Sequence, residues 1–493
     1  MQPSLLLLII AGYFSVLMMV SWWTSRQRSD RTYFDGDKKS PWFLVAFGMI
    51  GSGISAVSLV SIPGNVGNDH LYYFQFILGS IIGYLFIAFV LVPTFYRHQV
   101  VSLYSYLGDR FGSVTYKTGS LFFIVSQSFG AALRLLLSVK ILQDAFLNQL
   151  GIPYPVSIVL ILGLIWLYTH QSGVKTIVWT DTLQSLSLLL VLILSIRVII
   201  HSLGYDWQQL TNVIRVHPLF DWFNFSPRAG SNFFKQFISG FLITVALVGL
   251  DQSMMQKTLT IRDQRAARSN VLTFSFFIAM AQTLFLILGI LLYLFAEQKG
   301  IPLALQNGQY VDTDTLYPYL TMNYFGKIGV VAFFIGVIAS TFASIDSCIA
   351  ALTTSISYDF FRYVERSHED RVRIKRWVLL GVNAIMFAII MIFWNNQGAI
   401  INTIFRIAGY TYGPLLGLFL AGLFTRLELR QRWVPIVCLV AALLTYLLNI
   451  VSSHYFHFNF GFMNIAVNAA LTLLFLVLIR KSNAHGRSHR TNV

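Results

Sequence analysis

Gly48-Met49-Ile50-Gly51-Ser52-Gly53-Ile54-Ser55-Ala56-Val57-Ser58 lies in the middle of an apolar stretch, 42–67, that is long enough to cross a bilayer. Three glycines and three serines at that depth are out of keeping with a plain spanning helix. Unwinding there would free backbone carbonyls for a cation, and non-helical backbone is tolerated in the membrane only where it lines a cavity. Close packing of small residues between helices accounts for glycines equally well, so this stretch needs the rest of the chain to decide its meaning.

The rest of the chain is as apolar. Of 493 residues, 56% are hydrophobic and 11% charged, against about 25% charged in soluble domains. A soluble fold is excluded, and the apolar windows have the length of helices, not of barrel strands. About 13 such windows occur, near 4–23, 42–67, 72–96, 118–148, 155–169, 176–200, 235–257, 270–297, 327–360, 377–394, 399–424, 432–451 and 462–480. The first lacks a small-residue cleavage site and runs into Ser21-Trp22-Trp23, an interfacial anchor, and so reads as a retained helix. The expected fold is an all-α polytopic membrane protein with one transmembrane domain over 1–493 and a cytoplasmic tail at 481–493. The long connections 201–234 and 298–326 read either as solvated loops or as short lid helices.

Lys and Arg set the orientation. With the N-terminus outside, the inside loops hold Arg26, Arg28, Arg31, Lys38, Lys39, Lys257, Arg262, Arg265 and Arg268, and later Arg362, Arg366, Arg371, Arg373, Lys375, Arg376, Arg426, Arg430 and Arg432. About 26 cations fall inside against about 4 outside, which orients the chain in its membrane with its C-terminus in the cytoplasm. The net charge of +15 is spread over these short loops and does not form a nucleic-acid face. Cys348 and Cys438 fall inside apolar windows and read as packing residues, without a disulfide or metal pair. No catalytic constellation or phosphate-cradling glycine loop is present, so the chain is not read as an enzyme and needs no organic cofactor.

Charge inside a bilayer costs at least roughly 2.5–3.5 kcal/mol per group and calls for a reason. Three carboxylates qualify: Asp181, Asp251 and Asp346. In Ser340-Thr341-Phe342-Ala343-Ser344-Ile345-Asp346-Ser347 the three serines recur at i, i+4 and i+7 and stack on one helical face, with Ala343 and Asp346 at its edge. A column of hydroxyls beside a carboxylate suits a hard cation, although any single serine can bond back to its own i−4 carbonyl. Asp181 and Asp251 fall near the cytoplasmic ends of their windows, where water can reach them. Arg134, Lys140 and Arg406 also lie in spanning windows, either paired with carboxylates or poised for an anionic solute.

These features resemble the sodium:solute symporter family over nearly the whole chain. The resemblance rests on Ile54-Ser55-Ala56 through Ser61-Ile62-Pro63, Ser102-Leu103-Tyr104-Ser105-Tyr106-Leu107 with Arg110-Phe111, and Val178-Trp179-Thr180-Asp181 with Gln184. It continues in Asp346-Ser347 through Asp359 and in Gly413-Pro414-Leu415-Leu416-Gly417-Leu418-Phe419. Gly249-Leu250-Asp251-Gln252 followed by Met254-Met255-Gln256-Lys257 is similar to uncharacterised bacterial members related to sialic-acid and sugar symporters.

The family implies the leucine-transporter fold: two inverted five-helix repeats over 42–424 with broken first and sixth core helices, one extra N-terminal helix (4–23) and two extra C-terminal helices (432–480). It implies sodium-coupled symport of a small organic solute, a sugar, carboxylate or similar compound, into the cell by alternating access. A proton-coupled symporter on the same fold and a solute-sensing membrane protein are the alternatives. The resemblance places the principal sodium on the carbonyls of Gly51, Ile54, Ser340 and Ala343 and on the Ser344 hydroxyl, although many members carry a second hydroxyl where this chain has Ala343. A second sodium, as in some members, maps to Asp181, Asp346, Ser347 and the Ala343 carbonyl. Two carboxylates on one sodium are overcharged, which implies a protonated Asp346 or two bound cations. The solute pocket maps to Ser55, Ser58, Phe76, Ser80, Arg134 and Thr244. Thr244 and Leu247 differ from the groups that sugar-carrying members present there.

Overall fold

The structure, a computed structural model, describes residues 11–20, 40–100, 102–169, 174–306, 308–395 and 399–481. The ends of the 4–23 window, the cationic loop that follows it and the tail after 481 lie outside the described residues.

The chain is a bundle of apolar helices. Among the described residues nine are long enough to span a bilayer: α4 (Tyr73–His98), α5 (Ser113–Leu147), α7 (Ile177–Leu203), α10 (Gln264–Gln298), α11 (Gly326–Phe360), α12 (His368–Phe393), α13 (Ile400–Phe424), α14 (Gln431–Phe456) and α15 (Gly461–Leu478). Two more spans are bent pairs, α2 (Trp42–Gly53) with α3 (Ala56–Asp69) at 56°, and α8 (Phe233–Gly249) with α9 (Gln252–Thr258) at 67°. Among the described residues that makes up to 11 spans. Shorter apolar helices, α1 (Ala11–Val20) and α6 (Tyr154–Leu167), stand at the two remaining windows.

Both bent pairs fall where the first and sixth core helices were expected to break, with three unbroken spans and α6 between them. At the first break Ile54 (φ −105°, ψ 107°) and Ser55 (φ −97°, ψ 174°) are extended, and α3 restarts with the Leu59 N–H on the Ser55 carbonyl at 3.1 Å. At the second, α8 first widens to a π turn, with Leu250 N donating to Val245 O at 3.0 Å, and Asp251 (φ −95°, ψ 121°) then leaves the helix. Backbone groups freed in hydrocarbon must find other partners. Tyr104, in the turn between α4 and α5, donates its hydroxyl to the Leu250 carbonyl at 3.0 Å, and Leu103 N donates to Gln252 Oε1 at 3.0 Å. Asp251 caps α9 by accepting from Ser253 N at 2.7 Å.

The packing that carries these breaks is close. A Cβ on Gly79 of α4 would lie 1.9 Å from the Phe237 carbonyl oxygen, and one on Gly240 of α8 would lie 2.1 Å from that of Phe76, so the two helices cross backbone to backbone. Around the first break, α2 packs on α7, α10 and α11, while α3 packs on α10. The motif residue Asp359, at the end of α11, gathers the Ser102 hydroxyl (3.2 Å), the Ser120 hydroxyl (2.5 Å) and the Tyr116 hydroxyl (2.5 Å), and so ties the 102–106 turn and α5 to α11.

Both long connections carry short elements. In 201–234 a helix at Trp207–Val216 starts with an Asp206/Gln209 capping box, and 298–326 holds a two-stranded hairpin (Leu305–Gln306 with Gln309–Tyr310) and a helix at Leu316–Tyr324. Asp314, in the latter connection, reaches under α13 and accepts from Ile400 N at 2.8 Å. Burial pushes its carboxyl up to about 6, against the opposing pull of the Ile400 N–H. A carboxyl raised on folding adds stability below its unfolded pKa, and that share is lost as pH rises through the folded value.

Two outcomes are expected. Tyr104→Phe, which strands the Leu250 carbonyl, lowers stability by about 1–3 kcal/mol, read as a lower melting temperature in detergent. Asp314→Asn removes a fall of roughly 3 kcal/mol in wild-type stability between about pH 4 and pH 7, read by thermal unfolding across that range.

Candidate functional site

The first break opens onto a cavity of about 120 Å³ bounded by α2, α3, α4, α5, α8, α9, α10, α11 and α13. Of the expected solute residues, Ser55, Ser58, Phe76, Arg134 and Thr244 line it. Ser80 does not: its buried hydroxyl turns back onto its own helix and donates to the Ile77 carbonyl at 2.7 Å. One wall is aromatic, with Phe76 stacked on Tyr73 (5.0 Å between centroids) and on Phe405 of α13 (5.2 Å). The opposite wall is polar. Arg134 of α5 approaches Cys348 Sγ of α11 at 3.4 Å, and no carboxylate stands within ion-pair distance of it among the described residues.

Asp251, read from the sequence as an interfacial group, is buried at the break of α8 and α9 and lines the same cavity. Its Oδ1 accepts from the Ser253 N–H and lies against the Ser253 hydroxyl; its Oδ2 accepts from Tyr412 of α13 at 2.6 Å. Gln127 of α5 donates to Ser253 Oγ at 3.0 Å and to Cys348 Sγ at 3.1 Å, so the break is held from α5, α11 and α13 at once.

The expected principal sodium ligands lie where α2 ends against α11. A Cβ built on Gly51 would stand 3.3 Å from Ala343 Cβ and 2.6 Å from Ser185 Oγ, so only a glycine lets the three helices close. Ser185 of α7 accepts from Gly51 N at 2.6 Å and faces the Phe47 carbonyl at 2.5 Å, which sets a side chain into the ladder of α2 just before it ends. Carbonyls in the last turn of a helix lack helical donors. Ser344 Oγ is buried and lacks a hydrogen-bond partner among the described residues, while Ser340 Oγ bonds back to Val337 O at 3.1 Å and leaves only its backbone as a ligand. Helix-end carbonyls and an unpartnered hydroxyl are the oxygen donors a sodium ion takes.

The second expected set is also assembled, around an ammonium group. Asp181 of α7 and Asp346 of α11 are both 0% exposed, and Ser347 lies between them, its hydroxyl 3.4 Å from Asp181 Oδ2 and 3.2 Å from Asp346 Oδ1. Into this cluster α9 extends Lys257, whose Nζ lies 2.5 Å from Asp181 Oδ2, 2.7 Å from Ser347 Oγ, and in close contact with Ser52 Oγ of α2. Lys257 is 2% exposed, so it is not the loop cation that the charge count took it for. Its signal was present in the sequence: it follows the break at Asp251 by six residues, on a half-helix too short to carry it past the protein interior. Ser52 and Ser185 also went unassigned, because hydroxyls that bridge helices cannot be told in sequence from those that bond back to their own turn.

This arrangement, two broken helices facing one cavity with oxygen-lined pockets beside it, is that of a membrane secondary transporter of the leucine-transporter fold. The sequence pattern of the sodium:solute symporter family matches residues 33–430, and the chain belongs to that family, whose members are sodium-coupled transporters and not enzymes. The human sodium/iodide cotransporter is 26% identical over 430 residues, covering 84% of this chain and 65% of the relative. The rabbit (Oryctolagus cuniculus) sodium-dependent multivitamin transporter is 26% identical over 403 residues, 79% of this chain and 60% of the relative. The sodium/sialic acid symporter of Proteus mirabilis is 21% identical over 477 residues, 94% of each chain. The chain therefore spans less than two thirds of the length of the first two relatives and nearly all of the third.

Among solved structures, a substrate-bound, outward-open sodium-coupled sialic acid symporter superposes with a TM-score of 0.79 at 19% identity, over 97% of this chain and 98% of that one. A nucleobase-cation-symport-1 family transporter, closed around bromovinylhydantoin, superposes at 0.53 with 13% identity, over 91% and 93%. Both are likenesses of fold.

Gly51→Ala is expected to hold α2 off α7 and α11 at a cost of about 1–3 kcal/mol and to abolish any sodium-dependent rise in melting temperature while the helical circular-dichroism spectrum is kept.

Proposed function

We propose that this chain is a bacterial inner-membrane symporter that couples sodium entry to uptake of a small organic solute by alternating access, with its N-terminus outside and its C-terminus in the cytoplasm. The observation that carries the reading is the meeting of α2, α7 and α11 at Gly51, Ala343 and the unpartnered Ser344 hydroxyl, next to the cavity at the helix breaks. Sodium on the carbonyls of Gly51, Ile54, Ser340 and Ala343 and on Ser344 Oγ would clasp α2 to α11. It would thereby favour the state in which Ser55, Ser58 and the aromatic wall are set for the solute. Binding of this kind is reciprocal, so solute also tightens sodium.

The polar wall supports a carboxylate-bearing solute. Both Asp251 oxygens are engaged by Ser253 and Tyr412, and among the described residues the Arg134 guanidinium meets a thiol and no carboxylate, which leaves it available to an anion. Iodide, sialic acid and monocarboxylates, which stand beside multivitamins among the solutes in the names of relatives, are anionic at neutral pH.

The test is thermal unfolding of purified protein with carboxylates, sugars, amino acids and nucleosides, each in sodium and in potassium. A carboxylate that stabilises only in sodium, with the effect reduced at least about tenfold in apparent affinity by Arg134→Gln and lost in Ser344→Ala, is the expected result. Stabilisation indifferent to sodium but dependent on pH would instead favour proton coupling through Asp346, whose Oδ2 is buried without a partner among the described residues. Binding without concentrative uptake in proteoliposomes would favour a sensor.

A further inference from the structure

We infer that Lys257 is a built-in cation: its ammonium occupies the second cation site, so this transporter binds one sodium ion, not two. The inference rests on the sodium-symport reading for the first ion and is independent of the solute.

The geometry is that of a satisfied ammonium. A lysine head group has three N–H donors and no acceptor, and three oxygens meet it: Asp181 Oδ2 at 2.5 Å, Ser347 Oγ at 2.7 Å, and Ser52 Oγ. They come from three different helices, α7, α11 and α2, and the lysine itself from a fourth, α9. Ser52 Oγ in turn lies 3.0 Å from Asp181 Oδ2, so the oxygens are drawn together around one positive centre. Two of these donors, Asp181 and Ser347, are ligands that the family resemblance assigns to a second sodium.

A second sodium competes with this group. Asp181 Oδ2 and the Ser347 hydroxyl are already turned to Nζ; an ion held instead on Asp181 Oδ1 and Asp346 Oδ2, which have no hydrogen-bond partner among the described residues, would stand close to a like charge in surroundings where Lys257 is 2% and Asp181 0% exposed. The lysine supplies what the ion would: a positive charge that neutralises Asp181 and links α2, α7 and α11. The difference is that Lys257 is covalently part of α9, directly after the second helix break, so this cation cannot be released with the solute. The site fastens one broken helix to the other, α9 to α2, and contributes no transported charge.

The experiment is equilibrium binding of radioactive sodium to the purified full chain, wild type and Lys257→Ala, together with sodium titrations of the melting temperature in potassium-balanced buffer. One saturable sodium per wild-type protein and two per Lys257→Ala protein, with Asp181 intact, are expected. The double variant Asp181→Asn with Lys257→Met, which removes both charges, is expected to return to one. Two sodium ions on the wild type overturn the inference, as does a folded Lys257→Ala that stays at one under saturating sodium. If Lys257→Ala is unstable in potassium, rescue by sodium beyond the wild-type gain supports the inference, and failure of sodium to rescue it overturns it. A wild type that binds no sodium ends the symport reading alone; the gain of one sodium by Lys257→Ala would still establish the site, and no gain would overturn it.

Discussion

Every backbone amide in hydrocarbon must be hydrogen-bonded inside the protein, and the structure depends on how that demand is met where two spans are broken. At the second break the Leu250 carbonyl accepts from Tyr104, and the Ser253 N–H donates to the Asp251 carboxylate, which is held in turn by Tyr412. At Gly51 the ladder of α2 is entered by Ser185. Each of these partners belongs to another helix or to the far side of the break, so the breaks are stable only in the assembled bundle. A helix interrupted in this way is a place where polar backbone can face a cavity without being stranded in lipid.

Charge follows the same economy. Asp181, Asp346 and Lys257 are wholly or almost wholly buried, which is costly for any of them alone. Their convergence offsets part of that cost and makes the cluster sensitive to the position of α9 relative to α2, α7 and α11. Motion of the broken helices during a transport cycle would have to preserve the Lys257–Asp181 pair or replace it, and the ionic contact thus constrains which helices can move together. The Asp359 knot on the 102–106 turn applies a comparable constraint at the end of α11.

The site lies beside a cavity whose two walls differ in kind. Tyr73, Phe76 and Phe405 provide stacked rings, while Arg134, Asp251, Ser55 and Ser58 provide polar groups. On the reading proposed above, an amphipathic solute with one charged end would match such a cavity better than a uniformly hydroxylated one. Ser80 is equally polar in the sequence but spends its hydroxyl on Ile77, and so adds nothing to the polar wall.

Hydropathy by itself determined the membrane class and the windows of the helices, because a span must bury about 20 apolar residues whatever its neighbours do. The serine column at 340, 344 and 347 and the glycine-rich segment 48–58 were legible for the same reason: spacing along a helix assigns a face before any partner is known. The tertiary structure decided which of those groups are free. It alone distinguishes Ser344, left without a partner among the described residues, from Ser340, bonded to its own turn, and it moves Lys257 from a supposed loop to the centre of the Asp181 cluster. Charge tells from sequence only that a residue is expensive to bury; whether that cost is met depends on oxygens brought from helices 76 and 90 residues away in the chain, and only the packed bundle brings them.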